Sequence, residues 1–340
     1  MSARGRALVT GGAGFIGSHL VDRLVADGRA VTVLDDFSTG RLENLEAARS
    51  RGDVRIVEGS ILSAADVTAA LEGAGDVFHL AVECVRRSLG DPLHNHEVNA
   101  TGTLNLLEAA RRAGVRRFVY CSSSEVYGNA GSGRLDEERT VPQPTTVYGA
   151  AKLAGEHYTL AYHRTYGLKS VVLRPFNAYG PREHDRGDLA EVIPRFVIRV
   201  LNDRPPVIFG SGASARDFTY VTETARGIAR AAEVEQAVGR VINLARGACV
   251  SVAELAELVC RLCQRPHLRP IHLPPRPGDI LRLHADTRRA EELLGYRAEI
   301  DIEQGLEMYL HWFTHHYPDP SALLEEEPVN WRMPDDGTRG

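Results

Sequence analysis

Tyr148 and Lys152 stand one helical turn apart within Thr146–Tyr166, a stretch of strong helical character. The i, i+4 spacing puts both side chains on one helix face. A free phenol titrates at about 10 and is a poor base at neutral pH. An ammonium beside it and a positively charged ring brought close both favour the phenolate, so the Tyr148 pKa is expected to fall. The same ammonium can hydrogen-bond a ribose, a compact task that suits lysine better than a planar guanidinium. Composition gives this weight: of 40 basic residues only Lys152 and Lys169 are lysines, and the other 38 are arginines. A lysine retained against such a bias is a candidate for work that arginine cannot do, although Lys169 has no evident role. Upstream, Cys121-Ser122-Ser123-Ser124-Glu125 follows the strand-like run Arg117–Tyr120. A hydroxyl there can pass a proton between a substrate and Tyr148; the plainer reading is a Ser-rich turn, since hydroxyls favour turns anyway.

A second motif indicates what the positive ring would be. Directly after the strand-like run Ala7–Thr10 comes Gly11-Gly12-Ala13-Gly14-Phe15-Ile16-Gly17. Gly11, Gly14 and Gly17 form G-x-x-G-x-x-G, which permits a tight strand-to-helix turn and close approach of backbone to a pyrophosphate. The helix that follows, Phe15 to Asp27, aims its N–H groups and positive dipole end at that pyrophosphate. Asp35 ends the next strand, 18 residues past Gly17, where a carboxylate accepts hydrogen bonds from an adenosine ribose. A carboxylate there repels a 2′-phosphate, so the expected cofactor is NAD, with its nicotinamide ring near Tyr148.

These groups need a scaffold. Short apolar runs at Ala7–Thr10, Val31–Leu34, Val54–Val57, Val77–Leu80, Phe118–Tyr120 and Val171–Leu173 alternate with helical periodicity. The pattern predicts an α/β fold, a Rossmann-type doubly wound parallel sheet with a smaller α/β substrate-binding lobe. The NAD-binding domain is expected over 1–175, with later segments, about 211–245, returning to it. Residues 176–317 are expected to form mainly the second lobe; beyond Pro206 two pieces look ordered, a strand at Val241–Leu244 and a helix opening at Ser251, with Glu254 placed for a capping box. The tail, 318–340, is poor in apolar residues and holds −4 of the net −5, so it is expected to be mobile and solvated. The near-neutral body argues against nucleic acid as a partner. No apolar run reaches membrane-span length, so no membrane partner is expected either. Met1–Arg6 shows no signal-peptide pattern and the five cysteines are scattered, which suggests a cytoplasmic protein. Cys260, Cys263 and His267 invite a zinc reading. The cysteines fit the apolar face of a helix better, no second ligand pair follows, and no metal is expected.

On these motifs the chain resembles the extended short-chain dehydrogenase/reductases, in the nucleotide-sugar epimerase/dehydratase group, over nearly all of residues 6–317. The resemblance rests on the glycine turn, Asp35, His79-Leu80-Ala81, Asn99, the serine run, Tyr148 with Lys152, and a set in the second lobe. It implies that NAD is held by Gly11, Gly14, Phe15, Ile16 and Gly17, by Asp35, Ser38 and Gly40, by Ser60, Ile61, Leu80 and Ala81, and by Tyr148 and Lys152. Asn99 would support the cofactor region, and Pro175 would lie beside the nicotinamide. The family has an acid in the run Glu58-Gly59-Ser60-Ile61 where this chain has Ser60, which shifts adenine recognition toward weaker or backbone contacts. For substrate, the resemblance makes Ser123 the proton relay beside the base Tyr148, with Glu125 in the catalytic loop. Asn177 would meet the sugar or its diphosphate, Val192, Ile208 and Phe209 would enclose a uridine, and Arg216 and Arg276 would bind the diphosphate, for which their forked donors suit them. Asp279 would face a ribose, and Arg86 and Ser124 complete the substrate set. The implied partners are a UDP-sugar and a second copy of the chain, as a homodimer through helices of the first domain.

The chemistry so implied is oxidation at sugar C4. Tyr148 takes the 4-hydroxyl proton with Ser123 bridging, and C4 delivers hydride to NAD. Return of hydride to the other face of a rotated 4-keto sugar is 4-epimerisation. A C6 carboxylate opens the way to decarboxylation, and loss of water across C5–C6 is 4,6-dehydration. Dehydratases of the group carry adjacent Asp and Glu where this chain has Ser124 and Glu125, which disfavours dehydration. Glu125 is shared with sugar-acid decarboxylases, whereas Arg276–Asp279 is similar to epimerases. The expectation is a UDP-sugar 4-epimerase acting on UDP-glucuronate or UDP-glucose, of the kind found in actinomycete natural-product pathways. The alternatives are a UDP-glucuronate decarboxylase, then a dehydratase. A non-catalytic NAD-binding regulator fits the complete Ser/Tyr/Lys set less well.

Overall fold

The computed structural model describes residues 5–131 and 133–333. In chain order the strands are β1 (Arg6–Thr10), β2 (Val31–Asp35), β3 (Val54–Glu58), β4 (Ala74–His79), β5 (Arg117–Cys121) and β6 (Ser170–Pro175). Then come β7 (Ala178–Tyr179), β8 (Val207–Phe209), β9 (Ala215–Asp217), β10 (Thr219–Tyr220), β11 (Val241–Leu244), β12 (Cys249–Ser251), β13 (Ile271–Leu273) and β14 (Arg282–Leu283). Seven of them make one parallel sheet in the order β11-β6-β5-β4-β1-β2-β3. Chain direction across the sheet reverses between β1 and β4, and ligands of open α/β sheets bind outside the carboxyl ends at such a point.

The strands are apolar throughout because both faces are covered. Ala7, Val9, Val31, Val33 and Phe78 face one core with the helices Phe15–Ala26 and Val221–Ala231. Leu8, Leu34, Val77 and Phe118 face the other with the helices Thr103–Ala113 and Val147–Tyr166. β4 begins at Ala74, three residues before its apolar run. Asp76 hides the start: it is fully buried and held by Arg29 at 2.8 Å and Arg116 at 2.6 Å, so a charge sits inside the strand. β11 joins the sheet beside β6.

The smaller lobe pairs β8 with β13 and places β9 between β12 and β14. Its core holds Phe196, Ile208, Leu255, Val259, Tyr309 and Phe313, with Cys260 and Cys263 among them. The capping box opens the helix Val252–Leu262: Glu254 N–H donates to Ser251 Oγ at 3.1 Å, and Ser251 N–H to Glu254 Oε2 at 2.8 Å. Three contacts clasp the lobes together: His19 Nε2 with Pro181 O at 2.8 Å, Arg182 with Asp22 at 2.7 Å and Arg41 with Asp185 at 3.3 Å. Residues 318–333 lie along the smaller lobe, where Leu323 is buried and the Gly187 N–H donates to Glu325 Oε1 at 2.6 Å; the rest of the expected tail, 334–340, falls outside the described residues. Among the described residues no helix is long and apolar enough to cross a membrane.

Candidate active site

The glycine turn is built at the switch point. Gly11 has φ +68°, and a Cβ there would sit 2.7 Å from the Ala81 N in the loop after β4. A Cβ on Gly17 would lie 2.0 Å from the Gly11 O, so the helix starts hard against the turn. Gly14 is the N-cap of the helix Phe15–Ala26 and caps it with no side chain. Its first-turn N–H groups therefore face a cradle shaped for an anion. Asp35 Oδ2 accepts from Ala13 N–H at 2.8 Å and Oδ1 from Phe37 N–H at 3.0 Å. Each oxygen keeps a lone pair for a further donor such as a ribose hydroxyl. Gly40 is the residue that fits here, because a Cβ would come 2.7 Å from Asp35 Oδ1. These features fit a dinucleotide on observations of the chain itself. Other expected contacts are turned inward: Ser38 Oγ donates to Asp36 at 2.6 Å, and Ser60 Oγ accepts from Leu62 N–H at 3.1 Å. Asn99 pins the loop after β4, accepting from Glu83 N–H at 3.0 Å and donating to Glu83 O at 2.9 Å.

The helix Val147–Tyr166 carries Tyr148 and Lys152 to the same crevice. Thr146 caps it, accepting from Gly149 N–H at 3.1 Å. Two glycines set its approach: a Cβ on Gly149 would lie 2.9 Å from Glu125 O, and one on Gly155 2.2 Å from the Tyr120 hydroxyl. The Tyr148 phenol thus reaches the serine turn after β5, with Ser123 close enough to favour its ionised form. Ser123 Oγ also accepts from Glu125 N–H at 3.1 Å, which fixes the oxygen and leaves its proton to donate. Lys152 is 3% exposed, its Nζ 4.7 Å from the centroid of the Tyr120 ring. Burial lowers its pKa to about 8, against the pull of Cys121 and Glu156.

One expectation needs correction. Burial pushes the Tyr148 pKa up and outweighs the opposing effect of Ser123, and the nearby Glu125, Cys84 and Glu191 add to the rise. Lys152 lies under the Tyr120 ring and does not reverse this, so a lowered Tyr148 pKa is not a property of the chain alone.

On the substrate side, Arg216 and Arg276 both donate to Asp279 Oδ1 at 2.9 Å, and Ser214 donates to its Oδ2 at 3.1 Å. Two guanidiniums on one carboxylate leave surplus positive charge. Glu125 lies within reach of both; burial raises its pKa, and they oppose the rise. Asn177 Oδ1 is buried with no partner, an orphan acceptor beside Pro175 that a ligand donor would satisfy. Arg86 meets this set through Glu191, whose charge bears on Tyr148 and Arg276. It is 6% exposed and clamps Asp188 O at 2.6 Å and Glu191 at 2.9 Å. Ile208 is 1% exposed in the lobe core, whereas Val192 and Phe209 stay partly open. Ser124 is buried.

Residues 7–245 match the model of the NAD dependent epimerase/dehydratase family. The chain belongs to this family. A UDP-glucose 4-epimerase of Mycolicibacterium smegmatis is 38% identical over 312 residues, 91% of this chain and 98% of that protein. A dTDP-glucose 4,6-dehydratase of Streptomyces niveus is 35% identical over 316 residues, 91% of this chain and 92% of its own. Among solved structures, UDP-glucose 4-epimerase from Thermotoga maritima with UDP-glucose has a TM-score of 0.86 at 34% identity, covering 92% of this chain and 99% of its own. A mutant UDP-glucuronic acid 4-epimerase from Bacillus cereus, in complex with UDP-4-deoxy-4-fluoro-glucuronic acid and NAD, has a TM-score of 0.85 at 30% identity, covering 92% and 100%.

This epimerase/dehydratase is thus an enzyme whose cofactor is NAD. Two of its acids, buried Glu156 and partly exposed Glu191, escaped the sequence reading. Glu156 takes Arg174 in a fork at 2.9 and 2.6 Å and accepts from Ser122 Oγ at 2.5 Å. It stands at i+4 from Lys152, so the helix face that showed Lys152 also held the signal for it. Glu191 offered no such signal, because only tertiary folding brings it to Arg86.

Proposed function

We propose that this chain is a UDP-sugar 4-epimerase that works through a transient 4-keto sugar, with UDP-glucose as substrate. The observation that carries the reading is the convergence of Ser123, at the carboxyl end of β5, with the Tyr148 phenol, backed by buried Lys152. Tyr148 accepts the proton of the 4-hydroxyl, and Ser123, its oxygen fixed by the Glu125 N–H, relays it. NAD, when bound on the glycine turn and Asp35, supplies the acceptor for the C4 hydrogen and a positive ring that favours the phenolate. Arg216 and Arg276 hold the diphosphate, and Asn177 Oδ1 accepts from a sugar hydroxyl. The sugar between them must be free to turn over before the hydrogen returns.

Two further observations narrow the fate of the keto sugar. Dehydration needs an acid for the leaving hydroxyl besides a base at C5, and the turn offers Glu125 next to a serine, Ser124. The likeness to proteins named UDP-glucose 4-epimerase, at 38% and 34% identity, supports UDP-glucose over UDP-glucuronate. A second reading, decarboxylation of UDP-glucuronate, draws on the guanidiniums of Arg276 and Arg216 beside Glu125, which could offset a substrate carboxylate.

Incubation with UDP-glucose, UDP-N-acetylglucosamine and UDP-glucuronate in turn, followed by NMR and mass analysis, tests this. The expected product is a C4-inverted hexose of unchanged mass from UDP-glucose. Loss of CO2 from UDP-glucuronate replaces the proposal with decarboxylation, and loss of water replaces it with dehydration. A homodimer completes the reading, with light scattering expected to give twice the 37.2 kDa chain mass.

A further inference from the structure

Trp331 lies edge-on to Phe209, ring centroids 4.7 Å apart and planes at 77°. It belongs to a segment that runs back along the helix Val192–Leu201. The carbonyl of Pro320 accepts from Asn202 Nδ2 at 3.2 Å, that of Pro328 from Arg195, and that of Ala190 from Asn330 Nδ2 at 2.9 Å. The strap then leaves the smaller lobe: a Cβ on Gly90, in the first domain, would lie 3.3 Å from the Arg332 carbonyl. Residues 328–333 therefore reach from the smaller lobe to Gly90 of the first domain.

The place it covers follows from the order of groups along the cleft. Tyr148 is reached electrostatically by Glu125, and Glu125 by Arg276 and Arg216. Arg276 follows Pro275, on which Gly210 packs, with 3.5 Å between the Pro275 Cβ and a Cβ built on the glycine. Gly210 in turn follows Phe209 at the end of β8. The Arg195 guanidinium stands 5.8 Å from the centroid of the same Phe209 ring. A nucleotide sugar with its sugar at Tyr148 and its diphosphate at the two arginines carries its nucleoside to Phe209, and so against Trp331.

We propose that Trp331 forms the outer wall of the nucleoside subsite, with the strap Pro328–Met333 holding it against Phe209 so that the two rings make an aromatic corner for the base. This rests on the nucleotide-sugar reading above. Base-on-aromatic contact is sequence-tolerant and strong enough to set affinity. The strap also gives the C-terminal segment a function, since its anchors at Asn202, Arg195 and Ala190 pre-order the wall before ligand arrives.

Calorimetric titration with UDP of the full chain, of Trp331→Ala, of Trp331→Phe and of a chain stopped after Glu327 tests this. The alanine variant and the shortened chain are expected to bind UDP about tenfold more weakly, the loss of one base–aromatic contact. KM for the sugar nucleotide should rise in parallel, with kcat within about twofold and NAD content unchanged, while Trp331→Phe keeps most of the affinity. UDP affinity within twofold of the full chain in both the alanine and the shortened forms overturns the inference and leaves the nucleotide-sugar reading standing. A full chain that takes up no UDP overturns both.

Discussion

Lys152 and Lys169 share a rarity but not an environment. Lys169 is exposed and pairs with Glu235 at 2.7 Å, a surface contact that arginine could make equally well. Lys152 is sealed between the Tyr120 ring, Cys121 and Glu156. A guanidinium is larger and planar, so Lys152→Arg is expected to overpack the site by about 1–3 kcal/mol. Its melting temperature and NAD content should both fall; a variant that matches the parent in both would strip the lysine bias of functional meaning. For Tyr148→Phe, turnover should drop by about 10²- to 10⁴-fold, the usual span for loss of a proton-transfer group. NAD content should hold, because the ring remains and only the hydroxyl is lost. Undiminished turnover would exclude Tyr148 as the base.

At the scale of elements, glycines decide how closely the parts approach. Gly17 touches the Gly11 carbonyl, and Gly155 touches the Tyr120 hydroxyl. Gly17→Ala would put its Cβ 2.0 Å from a backbone oxygen that cannot swing away. It should cost about 3 kcal/mol or more in urea unfolding and empty the protein of NAD. A variant of normal stability and NAD content would mean that the turn can reshape. The glycine turn, Asp35 and the Ser251 capping box were readable because each is a local pattern with a local cause. The start of β4 was not, because the charge of Asp76 is cancelled by Arg29 and Arg116 from elsewhere in the chain.

For the whole molecule, two buried histidines couple stability to pH. Burial lowers the pKa of His19 to about 4 and of His79 to about 3. His79 bridges Thr10 at 2.8 Å and Thr103 at 2.9 Å, and His19 sits in the clasp between the lobes. Above pH 6.5 both are neutral in either state. Below it the unfolded chain binds protons that the folded chain refuses, so stability falls with pH, down to about 4 for His19 and about 3 for His79. The slope is up to about 1.4 kcal/mol per pH unit for each. Buried acids such as Asp217, pushed up to about 7, act with the opposite sign, so the histidine effect is read by difference: urea unfolding at pH 7 and pH 5 should show a smaller acid-side loss in His19→Gln, which can still donate to Pro181 O, than in the parent. An unchanged slope in that variant would remove His19 from the effect.

By itself, the sequence determined the doubly wound sheet, the NAD turn, Asp35 and the Ser123, Tyr148 and Lys152 candidates. Those depend on period and short spacing, which a chain carries along its length. Only tertiary structure decided that Arg86 clamps a loop, that Ile208 is buried, that Glu191 stands near the reacting groups, and that burial raises the Tyr148 pKa. It also decided that the acidic C-terminal segment, polar enough to read as solvated, runs along a helix and sets Trp331 beside Phe209. Contacts between residues more than a hundred positions apart, and the desolvation they bring, leave no periodic trace in the chain.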